Sequence, residues 1–306
     1  MTYNGEAIFN EDGSIRKNQE GEDGRSYSSN LAKLLKQLPK LQNLQEGKPP
    51  SPVMAHISLT NACNLTCSFC CFANRDISEK MPTEKVFQAL ESFKAIGVTG
   101  VEFTGGGEPS IHPHFKEIVQ YAKDLGFSLG ICTNGARFGA DRPIKKDIVE
   151  LFDWVRLGMY GFYEGYDYDL SVFEGTNCKP SAAYVWDENL ETSKNPNITG
   201  DWSDVKNKRV LSKKFQTTEN FIRMLDWVEE NGIPCRIAFN AIKDVKETEK
   251  DIETIRGIIE HYEEDRGRKL KYAFLSDFNF KGERRNDHCY MHMVKPFLFT
   301  DGYIYA

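Results

Sequence analysis

The stretch CNLTCSFCC, Cys63 to Cys71, follows the apolar run VMAHISLT at Val53–Thr60 and carries three thiols, Cys63, Cys67 and Cys70, spaced C-x3-C-x2-C. A loop leaving a strand with this spacing turns all three sulfurs towards one centre. Soft thiolates favour zinc, copper(I) or iron–sulfur clusters. A structural zinc site normally closes its shell with a fourth Cys or His, and none stands nearby at a typical spacing. Three ligands on a four-iron cube leave one iron open. Cys71 directly follows Cys70 and reads as a neighbouring thiol, not a fourth ligand.

With the aromatic Phe69 just before its last cysteine, CNLTCSFC resembles the signature of the radical S-adenosylmethionine (SAM) enzymes, and GGGEP at Gly105–Pro109 follows as that family's second element. The resemblance implies a 4Fe-4S cluster held by Cys63, Cys67 and Cys70, with SAM bound at the open iron. It implies reductive cleavage of SAM to a 5′-deoxyadenosyl radical that abstracts hydrogen from a substrate, the protein orienting the cofactor and excluding water. It assigns cofactor contacts to Phe69 and to Gly106, Gly107 and Glu108, the last group towards the SAM ammonium. Glycines let a backbone approach a ligand closely and adopt positive φ. By the same resemblance Thr133 and Asn134, in the turn TNG, and Asn240, in RIAFNAI, line the SAM site. The family often sets a polar ribose contact on its fourth strand, where this chain has Gly158 and Met159, so Tyr160 or a residue of another strand takes that place. An external flavodoxin- or ferredoxin-like electron donor is also implied.

Composition bounds the rest. A chain of 306 residues with 40% apolar content can bury a full α/β core. Its net charge of −6 argues against a broad nucleic-acid surface. No apolar run reaches membrane-spanning length, and the N-terminus lacks a signal pattern. Four of the eight cysteines fall within nine residues, which is not the layout of a secreted disulfide framework. The expectation is a cytoplasmic protein with no membrane partner.

Taken in order, residues 1–50 read as a polar arm followed by an amphipathic helix with Leu31, Leu34, Leu35 and Leu38 on one face. Residues 51–282 alternate apolar strands and amphipathic helices, the signature of parallel strands with crossover helices. Strands are expected at Val53–Thr60, Gly100–Gly105, Ser128–Asn134, Trp154–Tyr160, Cys235–Ile242 and Lys271–Phe278. Helices are expected at Thr83–Ile96, Pro113–Leu125, Ile144–Phe152, Thr218–Asn231 and Glu247–Arg266. Six units do not close an eight-stranded barrel, and the resemblance implies an α/β partial (β/α)6 TIM-type barrel with chemistry at the carboxyl ends of its strands.

A long insertion after the fourth strand, about 161–215, holds Phe162, Tyr163, Tyr166, Tyr168, Trp186 and Trp202, which either line a substrate pocket or form a small core of their own. Cys178 within it reads as a packed thiol, and Cys132 and Cys235 as buried strand thiols. Residues 283–306 read as a short hairpin extension, FLFTDGYIY turning at Asp-Gly. Cys289 and Gly302 stand where the SPASM or Twitch extension of some radical SAM enzymes begins, which makes this an incomplete auxiliary-cluster region by resemblance; Cys289 would ligate an auxiliary cluster only if the chain continued beyond Ala306.

Three functions fit. The first is a radical SAM enzyme acting on a peptide or protein side chain. The second is the same chemistry on a nucleotide or nucleobase, and the third a non-catalytic metal-binding protein, against which an intact GGGEP argues. No residue stands out as the substrate's radical partner or proton donor.

Overall fold

The computed structural model describes residues 52–65, 67, 69, 70, 72, 75–138, 143–159, 168–186, 218–239, 245–275 and 295–305, with isolated positions at 40, 42, 43, 46 and 48. Strands are β1 (Met54–Ile57), β2 (Gly100–Phe103), β3 (Ser128–Thr133), β4 (Trp154–Gly158), β5 (Lys179–Trp186), β6 (Cys235–Phe239), β7 (Ala273–Leu275), β8 (Phe297–Leu298) and β9 (Ile304–Tyr305). Helices are α1 (Thr83–Ala95), α2 (Phe115–Asp124), the single turn α3 (Lys146–Val149), α4 (Thr218–Asn231) and α5 (Val245–Arg266).

Among the described residues the strands form one sheet in the order β7-β6-β5-β4-β3-β2-β1-β8-β9, parallel throughout except for the final antiparallel β8–β9 pair. The ends do not meet, as expected of a partial barrel. Each helix buries one stripe: Val86, Leu90 and Phe93 on α1, Phe115, Ile118, Val119 and Ala122 on α2, and Phe221, Met224, Leu225 and Val228 on α4. These residues sit at the helical spacing that puts side chains on one face. They cover Ile57, Phe103, Leu129, Ile131, Val155 and Leu157 of the strands, all in one buried cluster.

Strand residues alternate between two faces. Opposite the helix-covered face, His56, Glu102, Gly130, Trp154 and Lys179 stand in register across β1 to β5. This row floors the concave side of the open barrel. The Trp154 ring lies across Gly130, where an added Cβ would come within 2.1 Å of the indole, so the floor is sealed on that side by one large and one absent side chain.

The predicted insertion is partly structural. Its segment Lys179–Trp186 is a full strand between β4 and β6. Pro180 and the pair Ala182-Ala183 gave this stretch little strand character, since proline and alanine are depleted in strands, yet pairing on both sides and packing of Tyr184 and Trp186 on Phe221 hold it in the sheet. Trp186 therefore belongs to the main core, as does Tyr168. Phe162, Tyr163, Tyr166 and Trp202 lie outside the described residues. The helix expected over Ile144–Phe152 shrinks to one turn, because its end must drop Asp153 against β3, where the carboxylate accepts from the Leu129 backbone at 2.7 Å. The hairpin at the C-terminal end forms as read, with Gly302 in a positive-φ turn. The N-terminal helix and Cys289 fall outside the described residues. Among the described residues no helix is long and apolar enough to cross a membrane.

Candidate functional site

The cysteine loop leaves the carboxyl end of β1 and is closed at its base. Asn61 N–H donates to the Glu79 carbonyl at 2.9 Å and Met81 N–H to the Leu59 carbonyl at 2.9 Å, so residues 59–61 and 79–81 run back along each other. Asn61 Nδ2 adds a bond to the Glu79 carboxylate at 2.9 Å. Within this frame Cys63, Cys67 and Cys70 are all half-buried and in no disulfide. Arg75 turns inward: its Nε donates to the Asn61 carbonyl at 2.6 Å, and one terminal nitrogen lies 2.6 Å from the Phe72 carbonyl and 3.6 Å from Cys70 Sγ.

Burial pushes the Cys67 thiol well up, and the neighbouring Cys63 and Cys70 push it further while Arg75 opposes them. Burial also raises Cys63, with Glu108 and Cys70 adding to it and the Leu65 N–H and Arg75 working against it. Three thiolates in one half-buried loop repel one another and are costly without a cation. Metal ligation supplies that cation, since a coordinated thiol is deprotonated outright. Among the described residues no group of three or more His, Cys, Asp and Glu side chains is disposed to hold a single metal ion. A four-iron cluster spreads its sulfur ligands more widely than one ion does.

GGGEP packs against this loop. Gly105 and Gly106 have φ of 78° and 59°, a region that side-chain-bearing residues rarely adopt. Gly107 N–H donates to the Thr60 carbonyl and Glu108 N–H to the Ala62 carbonyl, at 2.6 and 2.9 Å. A Cβ on Gly107 would sit 1.8 Å from the Ala62 oxygen. The glycines thus serve first to bring two backbones together. A Cβ on Gly106 would meet Ser58 Oγ and Asn61 Oδ1. Those two buried oxygens have no hydrogen-bond partner among the described residues, which leaves a polar cradle where the two loops meet. Unpaired buried polar atoms are rare and call for a ligand or water.

Glu108, 3% exposed, gathers four bonds. Its Oε1 accepts from Ser110 N–H at 3.1 Å, Ser110 Oγ at 2.6 Å and Thr133 Oγ1 at 2.7 Å. Its Oε2 accepts from the Asn134 backbone N–H at 2.7 Å. Each carboxylate oxygen offers about two lone-pair sites; Oε1 is crowded by three donors, whereas Oε2 has one among the described residues and can accept a second, such as an ammonium. Asn134 in turn reaches the cysteine loop, its Nδ2 donating to Asn64 Oδ1 at 2.7 Å and lying 3.8 Å from Cys63 Sγ. The turn TNG is therefore a buried bridge between the two motifs.

The structure brings together Cys63, Cys67, Cys70, Gly106, Gly107, Glu108, Thr133 and Asn134. Phe69 is a half-buried turn residue between two of the cysteines. Met159, at the end of β4, is buried in the core and offers no ribose contact. Tyr160 and Asn240 lie outside the described residues. Asn61, Asn64, Arg75 and Ser110 were not anticipated; the first two flank Cys63 in NACN, a local signal, whereas only the fold turns Arg75 inward. Cys132 also differs from its expected role as a core thiol. It faces the concave side, donates to Glu102 Oε1 at 3.2 Å, and is pushed up to about 12 by burial and by that carboxylate.

Residues 57–164 match the model of the radical SAM superfamily. The match is to a stretch of 108 residues, about a third of the chain. The matched span starts at the last residue of β1 and passes the end of β4, so it contains the cysteine loop, GGGEP and TNG. The chain is similar to the S-adenosylmethionine-dependent nucleotide dehydratase of Selenomonas ruminantium, 31% identical over 98 residues that cover 32% of this chain and 35% of that protein. It is also similar to the sporulation killing factor maturation protein SkfB of Bacillus subtilis, 34% identical over 85 residues that cover 28% of this chain and 20% of that protein. The chain thus spans about a third or less of the curated relatives it matches. Its fold is similar to that of Streptococcus suis SuiB bound to the precursor peptide SuiA, with a TM-score of 0.51 and 17% identity over 95% of this chain and 67% of that one.

Proposed function

We propose that this chain is a radical SAM enzyme of the SPASM/Twitch-like branch that acts on a peptide or protein side chain, with residues 51–282 as its catalytic unit. The observation that carries the reading is the hydrogen-bonded wiring of the three-cysteine loop to GGGEP through Glu108 and Asn134, since a structural metal loop has no need of a second, glycine-built loop against it. When bound, a 4Fe-4S cluster and SAM supply a carbon-centred radical that takes hydrogen from the substrate. Cys63, Cys67 and Cys70 would hold the cluster. Gly106, Ser58 and Asn61 frame the cradle beside it, and the free lone pair of Glu108 suits the SAM ammonium. Arg75 donates towards Cys70 and so lowers the charge density on that sulfur.

The similarity to SkfB, named as a maturation protein, supports a peptide substrate. The nucleotide dehydratase similarity supports the second reading, a nucleotide substrate. Reduction requires an external donor of flavodoxin or ferredoxin type. The test is anaerobic reconstitution with iron and sulfide, followed by SAM and dithionite, with 5′-deoxyadenosine as the readout. Wild type should produce it and Cys63→Ala, Cys67→Ala and Cys70→Ala should not. Iron uptake without SAM cleavage would leave only a structural metal role. Adding peptide or nucleotide libraries then separates the two substrate readings by which one raises deoxyadenosine yield.

A further inference from the structure

The concave side of the barrel holds an unequal set of charges. Glu102 is its buried carboxylate among the described residues, and it is already committed: Oε2 lies 2.8 Å from His56 Nε2 and 3.4 Å from Lys295 Nζ, while Oε1 accepts from Cys132. Two positions along the same face of β4 stands Arg156. It is half-buried and stacked over the Trp154 ring at 5.4 Å, with no carboxylate or carbonyl partner among the described residues. Stacking on an aromatic face leaves the edge of a guanidinium, with its N–H donors, open.

Arg156 borders open space. A cavity of about 460 Å³ opens between the start of β5 and the turn before β6, lined by Trp154, Arg156, Lys179, Ser181 and the backbone around Gly232. Its size is that of a small-molecule pocket. Ser181 faces Arg156 across the β4–β5 pair, and Lys179 stands one step below on the same side of β5. Among the described residues Glu174 is the one carboxylate on the rim, and its backbone carbonyl accepts from Lys146 Nζ at 2.6 Å. Above Arg156 the next pair in register is Gly158 and Ala183, which add little or no side chain.

We propose that this cavity is a binding site for a ligand bearing an oxyanion, carboxylate or phosphate, which the guanidinium of Arg156 grips with two N–H donors. Ser181, whose Oγ donates to the Val155 carbonyl at 3.3 Å, lines the site beside Arg156, and Lys179 adds a second positive charge. The planar fork matches an oxyanion bidentately, whereas a lysine would act as a point charge. The site is separate from the SAM cradle and does not depend on radical chemistry, so a chain that failed to cleave SAM would still be expected to bind here.

The test uses the full chain and two probes, pyrophosphate and N-acetylglutamate, followed by titration calorimetry. Wild type should bind at least one of them with a Kd below about 1 mM. Arg156→Gln should weaken that binding about tenfold or more, and Arg156→Lys by less. Ser181→Asp, which sets a carboxylate opposite an intact Arg156, should abolish it and covers the case in which Arg156→Gln folds poorly. Binding of pyrophosphate alone identifies a phosphate-bearing ligand, and binding of N-acetylglutamate alone a carboxylate-bearing one. Equal affinity in wild type and Arg156→Gln, absence of saturable binding by both probes, or an equal loss of SAM affinity in Arg156→Gln would each overturn the proposal.

Discussion

The backbone N–H of Asn134 donates to Glu108 Oε2 at 2.7 Å, joining the end of β3 to the turn that follows β2. Because Asn134 also reaches Asn64 in the cysteine loop, this one bond fixes how three strand ends face one another. The geometry of the cradle is set by positions whose own chemistry is ordinary.

Glu108→Gln tests that clamp. An amide in place of Oε2 turns a donor towards the Asn134 N–H and leaves a buried polar group unsatisfied, which costs about 1–3 kcal/mol. Urea denaturation of the metal-free chain should show that loss, and SAM affinity of the reconstituted chain should fall with it. Unchanged values for both would mean that the clamp carries no weight.

At Gly107 the limit is steric. A Cβ 1.8 Å from the Ala62 oxygen forces the two loops apart, and overpacking of this kind costs about 1–3 kcal/mol. Gly107→Ala should therefore lower stability and reduce iron retained per chain after reconstitution, because Ala62 immediately precedes Cys63. Full iron loading in that variant would contradict the assigned packing.

Phe297 of β8 covers the other side. Its ring lies against Gly105 and packs with Phe72 of the cysteine loop at 6.1 Å and with Phe299 at 5.7 Å. Phe297→Ala removes that cover at a cost of about 3–5 kcal/mol if fully felt. Bleaching of the reconstituted chain in air, followed by visible absorbance, should be faster than in wild type. Equal bleaching rates would remove the hairpin from any protective role.

The Glu102 carboxyl should leave a mark at acid pH. Burial pushes it up, but the His56 ring, Lys295 and the Cys132 thiol outweigh burial and hold it well below the usual carboxylate range. The unfolded chain then binds a proton that the folded chain does not, so the stabilisation is present above the ordinary value of 4.5 and is lost as pH falls from there. Glu102→Gln leaves Lys295 and His56 without their anion and should destabilise the chain by about 3 kcal/mol at neutral pH, with a smaller further loss on acidification than wild type shows. Denaturant midpoints measured across that range decide it; parallel curves for the two proteins would rule out the Glu102 contribution.

Much of the site was local in the chain. Cysteine spacing, GGGEP and TNG are short motifs, and the alternation of apolar strands with amphipathic helices is a periodic signal, so the meeting of these motifs at neighbouring strand ends, the fold class and the helices α1, α2 and α4 were legible. The strand Lys179–Trp186 was not, because Pro180 and two alanines carry weak intrinsic preference and the segment is held by pairing with β4 and β6 and by Phe221, which are remote in sequence. The motif glycines were readable as glycines, yet their partners Ala62, Ser58 and Asn61 became visible only when two loops met. Arg75 and Lys295 belong to the same class, since a charge in the chain becomes a cluster neighbour or a counter-ion only through the path of the backbone around it. By itself the sequence determined the clustering of the three cysteines after the first strand, the alternation of strands and helices outside the long insertion and the open α/β sheet, because each rests on spacing along one segment. Tertiary structure alone decided that Glu108 is clamped by four donors, that Cys132 faces Glu102 and that Arg156 is left with a cavity in place of a partner, because those outcomes depend on which strands become neighbours and on which face of each looks inward.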